Sequence, residues 1–181
     1  EKLINLLVKI KYINQEHWKI ILSQYLMYLS IVQTHYQPLA NKHITQILSH
    51  LKDMYKYLPF DSDKDLVQVL DRAVSESINH LFKCLDQMDP EYFTITINSI
   101  SKLGLLDETN TRNIENIMAD KLKGMKDNYF ANILFSTFKN RCASETLYKI
   151  LEERCITILE SYKHGKVDSF VVTMVAKCNT S

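Results

Sequence analysis

Paired carboxylates, spaced histidines and short clusters of lysine are the groups in this sequence from which chemistry can be sought. Asp61-Ser62-Asp63-Lys64-Asp65 begins like a calcium loop. Such a loop needs Gly at its sixth position and Glu at its twelfth, where this chain has Leu66 and Arg72. The same carboxylates suit the positive start of a helix, as N-caps ahead of the apolar run that follows. His43 and His50 stand seven residues apart, about two helical turns, but no third ligand at zinc spacing accompanies them. His17 beside Trp18, and Glu152-Glu153, lack the positioned partner that acid–base chemistry requires. Nucleotide-binding, nucleophile-elbow and zinc-protease motifs are missing. Cys84, Cys142, Cys155 and Cys178 contain no Cys-x-x-Cys pair, so they read as small buried hydrophobes in a reducing compartment. The expectation is a protein with no catalytic residue, no metal, no cofactor and no small-molecule substrate.

The cations are more informative. Lys121, Lys123 and Lys126 close one apolar segment, and Lys163, His164 and Lys166 close a later one. Lys126 and Lys166 each lie four residues before an aromatic residue, Phe130 and Phe170. If those segments are equivalent units of a stack, the cations fall on one edge, with His80 and Lys83 at its beginning. A row of ammonium groups can follow a phosphate backbone. Against this stands the ordinary preference of cations for helix C-termini. Tyr55, Tyr57, Tyr148 and Tyr162 are candidates to stack on unpaired bases, or to pack between elements. The formal net charge of the 181 residues is only +1, well below that of a dedicated nucleic-acid module.

The elements that must position these groups are helices. Only three Gly and three Pro interrupt the chain, and apolar residues recur at helical spacing nearly throughout. Leu3, Leu6, Leu7 and Ile10 form the first stripe, and Trp18 to Val32 carry the second. Ile44 to Met54 and Leu66 to Phe82 carry the third and fourth. Further stripes run over Phe93 to Leu103, Ile114 to Leu122, Phe130 to Phe138 and Leu147 to Leu159, and a ninth begins at Phe170. Asp89-Pro90, Thr109 to Thr111 and Ser144-Glu145 mark helix starts, while Gly104 and Gly165 mark stops. No run approaches the length that spans a bilayer.

Alternate helices begin near Leu3, Ile44, Phe93, Phe130 and Phe170, separations of 41, 49, 37 and 40 residues. Periods of this size belong to stacked helical hairpins. The fold class expected is all-α, an α-solenoid of about four hairpins and the start of a fifth. Residues 1–181 then form a single helical-repeat domain with approximate units 1–39, 40–89, 90–127, 128–167 and 168–181. Phe93, Phe130 and Phe170 are its expected packing anchors. Apolar periodicity runs to both ends, so the chain is expected to be a fragment of a longer one.

Tyr92-Phe93-x-x-x-Ile97-x-Ser99-Ile100-x-Lys102-Leu103-Gly104, followed by a polar link and a second helix, resembles a heptatricopeptide-repeat unit. That family is found in organellar proteins, often ahead of a RAP domain, and is similar to the helical region of FAST-kinase-domain proteins. Residues 90–181 carry the resemblance and residues 1–89 share only the period. No RAP domain is visible. The resemblance implies a non-enzymatic RNA-binding protein of organellar gene expression, acting in RNA maturation or in the mitochondrial ribosome. Its partners would be RNA, including rRNA, and neighbouring proteins of a large assembly, with no membrane. Its place would be the mitochondrion, or else the plastid. The alternative is a protein-interaction scaffold that touches no RNA.

Overall fold

The computed structural model describes residues 1–34, 38–58, 63–106, 108–140, 144–163, 165, 171–173 and 176. Among them the chain is all-helical, without strands. The elements whose bounds lie in the described residues are eight α-helices, α1 (Lys2–Lys9), α2 (Gln15–Thr34), α3 (Pro38–Met54), α4 (Lys64–Phe82), α5 (Pro90–Lys102), α6 (Glu108–Lys123), α7 (Asp127–Asn140) and α8 (Glu145–Lys163), and a 3-10 turn, Leu85–Gln87, between α4 and α5. The chain divides into two compact units, Glu1–Met88 and Asp89–Ser181. The division falls where the expected units 40–89 and 90–127 meet.

Local chemistry explains most helix boundaries. The Asn14 carboxamide accepts from the His17 N–H at 3.0 Å as α2 starts. Asp63 accepts from the Leu66 N–H at the start of α4, 3.0 Å. Asp89 accepts from both Glu91 and Tyr92 ahead of α5, with Pro90 in the first turn, where its missing N–H leaves nothing unpaired. Ser144 accepts from Leu147 at 3.1 Å before α8. Thr109 and Thr111 lie within α6 rather than ahead of it, because that helix begins at Glu108. At the other end of α5, Gly104 has φ +72°. The Leu105 N–H reaches the Ile100 carbonyl, and the Gly104 N–H reaches that of Ser101. This paired closure needs a left-handed residue, which glycine supplies without a Cβ clash. Gly165 ends α8 with φ +70°.

In the first unit α4 packs against α2 and α3, and α1 lies on α3. Trp18, Leu22, Ile44, Leu48, Leu66 and Leu70 are fully enclosed. Across the α2–α4 contact the Tyr25 hydroxyl donates to Ser77 at 2.7 Å, and Ser77 donates to the Ala73 carbonyl at 2.6 Å. Burial raises the Tyr25 pKa. Lys19 bridges the same helices through Asp63, 2.8 Å. That contact, then the one to Glu16, holds the ammonium pKa up. The expected stripe of α1 is the difference: Ile4 is its buried residue. Leu3, Leu6 and Ile10 are 56%, 56% and 60% exposed. An eight-residue helix has only a narrow face to bury.

In the second unit α5 packs against α7, and α6 meets α8. Phe93 and Phe130 are both completely buried, one in each of the packed helices α5 and α7. Thr94, Thr96, Ser99 and Ser101 are buried as well, so α5 is enclosed on more than its apolar stripe. The Thr94 hydroxyl donates to Pro90 and that of Thr137 to Ile133, each four residues back. These bonds satisfy buried hydroxyls within their own helices. Arg154 of α8 donates to the Met125 carbonyl and the Asp127 carboxylate, both at 2.9 Å. Its guanidinium carbon lies 6.0 Å from the centre of the Phe130 ring.

Candidate macromolecular interface

The candidate cations divide sharply. Lys121 is half-buried near the end of α6, and Lys123 is exposed two residues on. Lys123 donates to Asp120 at 3.0 Å. Lys126 is exposed in the link before α7, and its carbonyl accepts from the Tyr129 and Phe130 N–H groups. It is therefore the N-cap of α7. The macrodipole accounts for lysines near the end of α6, but it opposes a cation at a helix start. The side chain of Lys163, and His164, Lys166 and the anchor Phe170, lie outside the described residues.

His80 does not belong with these cations. It is buried, its Nε2 donates to the Asn41 carboxamide at 2.9 Å, and Cys84 donates to the His80 carbonyl at 3.3 Å. Burial, then Lys83, pushes its pKa below the ordinary 6.5, so the ring is neutral near pH 7. Burial likewise raises the Cys84 thiol. Cysteine, histidine and asparagine side by side suggest a nucleophilic triad. A relay needs one ring nitrogen on the thiol and the other on the amide. Here Nε2 faces both groups, with Cys84 at 4.0 Å, and the cluster is a satisfied polar part of the core.

The remaining candidates are structurally employed. Asp63 caps α4 and holds Lys19. His43 pairs with Glu1 at 2.7 Å, while His50 is half-buried with a pKa lowered by burial and then by Lys52. No group of three or more His, Cys, Asp or Glu side chains among the described residues could hold a metal ion. Tyr55 donates to Asp71 at 2.6 Å, and Tyr148 meets Phe138 edge-on at 5.4 Å. Tyr57 is half-buried; Tyr162 is exposed. No helix of the described residues is long and apolar enough to cross a membrane.

The largest departure from the expected site is on α1 and α2. In addition to Leu3, Leu6 and Ile10, α2 exposes Ile20 and, on the side facing α4, Met27. Between the two helices runs a groove. One part, about 640 Å³, is walled by α3 as well and is bounded by Leu3, Ile4, Ile21, Tyr25, Tyr28 and Ile47 together with the polar Glu1, Lys2, Gln24 and His43. A second, about 300 Å³, is bounded by Leu3, Leu7, Tyr12, His17, Ile20 and Ile21. Leu3 and Ile21 border both. The wall at Tyr12 is braced from within. The Trp18 Nε1–H donates to the Tyr12 carbonyl at 2.7 Å, and the Tyr12 ring stacks on His17 with centroids 5.9 Å apart. The sequence offers one signal of this surface in retrospect, the excess of apolar positions in residues 3–13 over what one helix face can bury.

No family model matches the chain, and neither a curated protein nor a solved structure was found to be similar to it.

Proposed function

We propose that the chain is a non-enzymatic helical-repeat protein, built from stacked hairpins, that holds a protein partner within a larger assembly. The stacking reading is supported inside each unit by contacts between helices two apart in sequence: α1 on α3 and α2 on α4, then α5 on α7 and α6 on α8. Hairpins that pile first helix on first helix and second on second give this pattern. The observation that carries the function is the apolar side chains left outward on α1 and α2. Grouped apolar surface of this kind marks protein contact sites. Amine-reactive crosslinking in extract of the native source tests it. Protein crosslinks should concentrate at Lys2, Lys9 and Lys11. Crosslinks spread evenly over the lysines would dismiss the reading.

A second reading, RNA contact in organellar gene expression, is favoured by Lys126, an exposed cation that the helix dipole does not explain. Filter binding of single-stranded RNA between 50 and 200 mM salt tests it. Changing Lys121, Lys123 and Lys126 to Glu should lower the salt slope by about 2, at roughly 0.7 per phosphate contact. An unchanged slope removes these residues from any RNA interface.

A further inference from the structure

The hollow between α2 and α4 gathers polar groups that the rest of the protein leaves unmatched. It measures about 480 Å³. On α2 it is lined by Ser23, Leu26, Met27 and Ser30, a spacing that sets all four on one face over about two turns. On α4 it is lined by Gln68, Val69 and Arg72. Ser23, Met27, Gln68 and Arg72 are exposed, so the hollow stands open to solvent. Ser30 turns its hydroxyl to the Met27 carbonyl at 2.8 Å. The Ser23 hydroxyl, the Gln68 carboxamide and the Arg72 guanidinium meet no hydrogen-bonding or ionic partner among the described residues. Arg72 is the one charged group in the described lining, which includes no carboxylate. Asp71, its neighbour in sequence, accepts from Tyr55 at 2.6 Å instead.

Resting on the protein-partner reading above, we infer that this hollow takes an acidic side chain of a partner polypeptide together with an apolar neighbour. An unpaired guanidinium presents parallel N–H donors that match a carboxylate. Leu26, Met27 and Val69 wall the space for the apolar neighbour, and the flexible Met27 adapts to its shape. Ser23 and Gln68 can each donate and accept, as a backbone amide beside the acidic residue requires. One cation next to three apolar side chains suits a monoanion on a hydrocarbon stem better than a phosphate dianion. An open hollow encloses too little of a free small molecule to hold it, whereas a polypeptide adds contacts on either side.

Screening the intact chain against a bead library of randomised eight-residue peptides, capped at both ends, tests the inference. Selected sequences should pair Asp or Glu with Leu, Ile or Met. By fluorescence polarisation Arg72→Glu should lower their affinity at least about ten-fold. Replacing the peptide's acidic residue by Lys should then restore binding to that variant and not to the original chain. Met27→Ser should weaken the acidic peptides as well. Both positions are exposed, and circular dichroism verifies that the helices persist. Selected peptides that ignore Arg72→Glu but are lost with Leu3→Glu would overturn this hollow as the seat while leaving the protein-partner reading intact. Peptides that need Arg72 yet carry no acidic residue would overturn the carboxylate. Failure to select any peptide overturns the inference, and the crosslinks at Lys2, Lys9 and Lys11 decide the wider reading separately. Octanoate or a nucleoside monophosphate binding as tightly as the selected peptides would assign the hollow to a free carboxylate or to phosphate, and either result overturns the inference.

Discussion

At the scale of single residues the consequential groups are those with one geometry open to them. His80 is enclosed and neutral, and its folded pKa lies below the 6.5 of a free imidazole. The unfolded chain therefore binds the extra proton first as pH falls. The contribution is fully present above pH 6.5 and is lost as pH drops through the folded value. His50, shifted in the same direction, adds to the effect. The urea midpoint should fall between pH 7 and pH 5, and His80→Gln should flatten the decline. A midpoint indifferent to pH over that range would contradict the assignment of neutral histidine. Asp89 supplies two cap bonds at once. Asp89→Ala should cost about 1 kcal/mol in chemical denaturation. Gly104→Ala meets open space but forces φ +72° on a side chain, a penalty of about 1 kcal/mol. Of these residues, Asp63, Asp89, Gly104 and Gly165 were legible in the sequence because caps and stops act over a few neighbouring positions. His80 was not, since its role rests on Asn41, thirty-nine residues away.

At the scale of elements, legibility followed how many faces a helix buries. The stripes of α4 and α7 mark buried positions because each helix has one strongly apolar face. The stripe of α1 instead marks an exposed surface, and α5 buries hydroxyls on a face that reads as polar. Ser99, Ser101, Ser136 and Thr137 are all buried, and Ser101 donates toward the Ser136 carbonyl of α7 at 3.4 Å. Small side chains at this contact leave little room for larger ones. Ser101→Leu should destabilise by about 1–3 kcal/mol through overpacking. Phe130→Ala should cost about 3–5 kcal/mol by opening a cavity. Both are read from denaturation midpoints. If Ser101→Leu proved neutral, the α5–α7 contact would be looser than its buried hydroxyls indicate.

At the scale of the whole molecule, composition and local contacts pull in different directions. A net charge of +1 and an isoelectric point near 7.9 leave little long-range repulsion, while α1 and α2 display apolar side chains. Self-association by light scattering should be greatest near pH 7.9, where repulsion between copies vanishes. Leu3→Glu with Met27→Glu should reduce it. Equal scattering from the variant would show that another surface is responsible. The all-helical class was legible because periodicity and the scarcity of Gly and Pro extend over the full length. The division at Met88 was less so, since a 3-10 turn and a proline look the same inside a domain as at its edge.

The indole of Trp18 gives the molecule a one-sided optical signature. It is the sole tryptophan in the sequence, wholly buried in the first unit and hydrogen-bonded to the Tyr12 carbonyl. Emission excited at the red edge of the indole band thus follows Glu1–Met88 and is silent about Asp89–Ser181. Far-ultraviolet ellipticity weighs every helix. Comparing the two traces during unfolding separates the histories of the halves without any label.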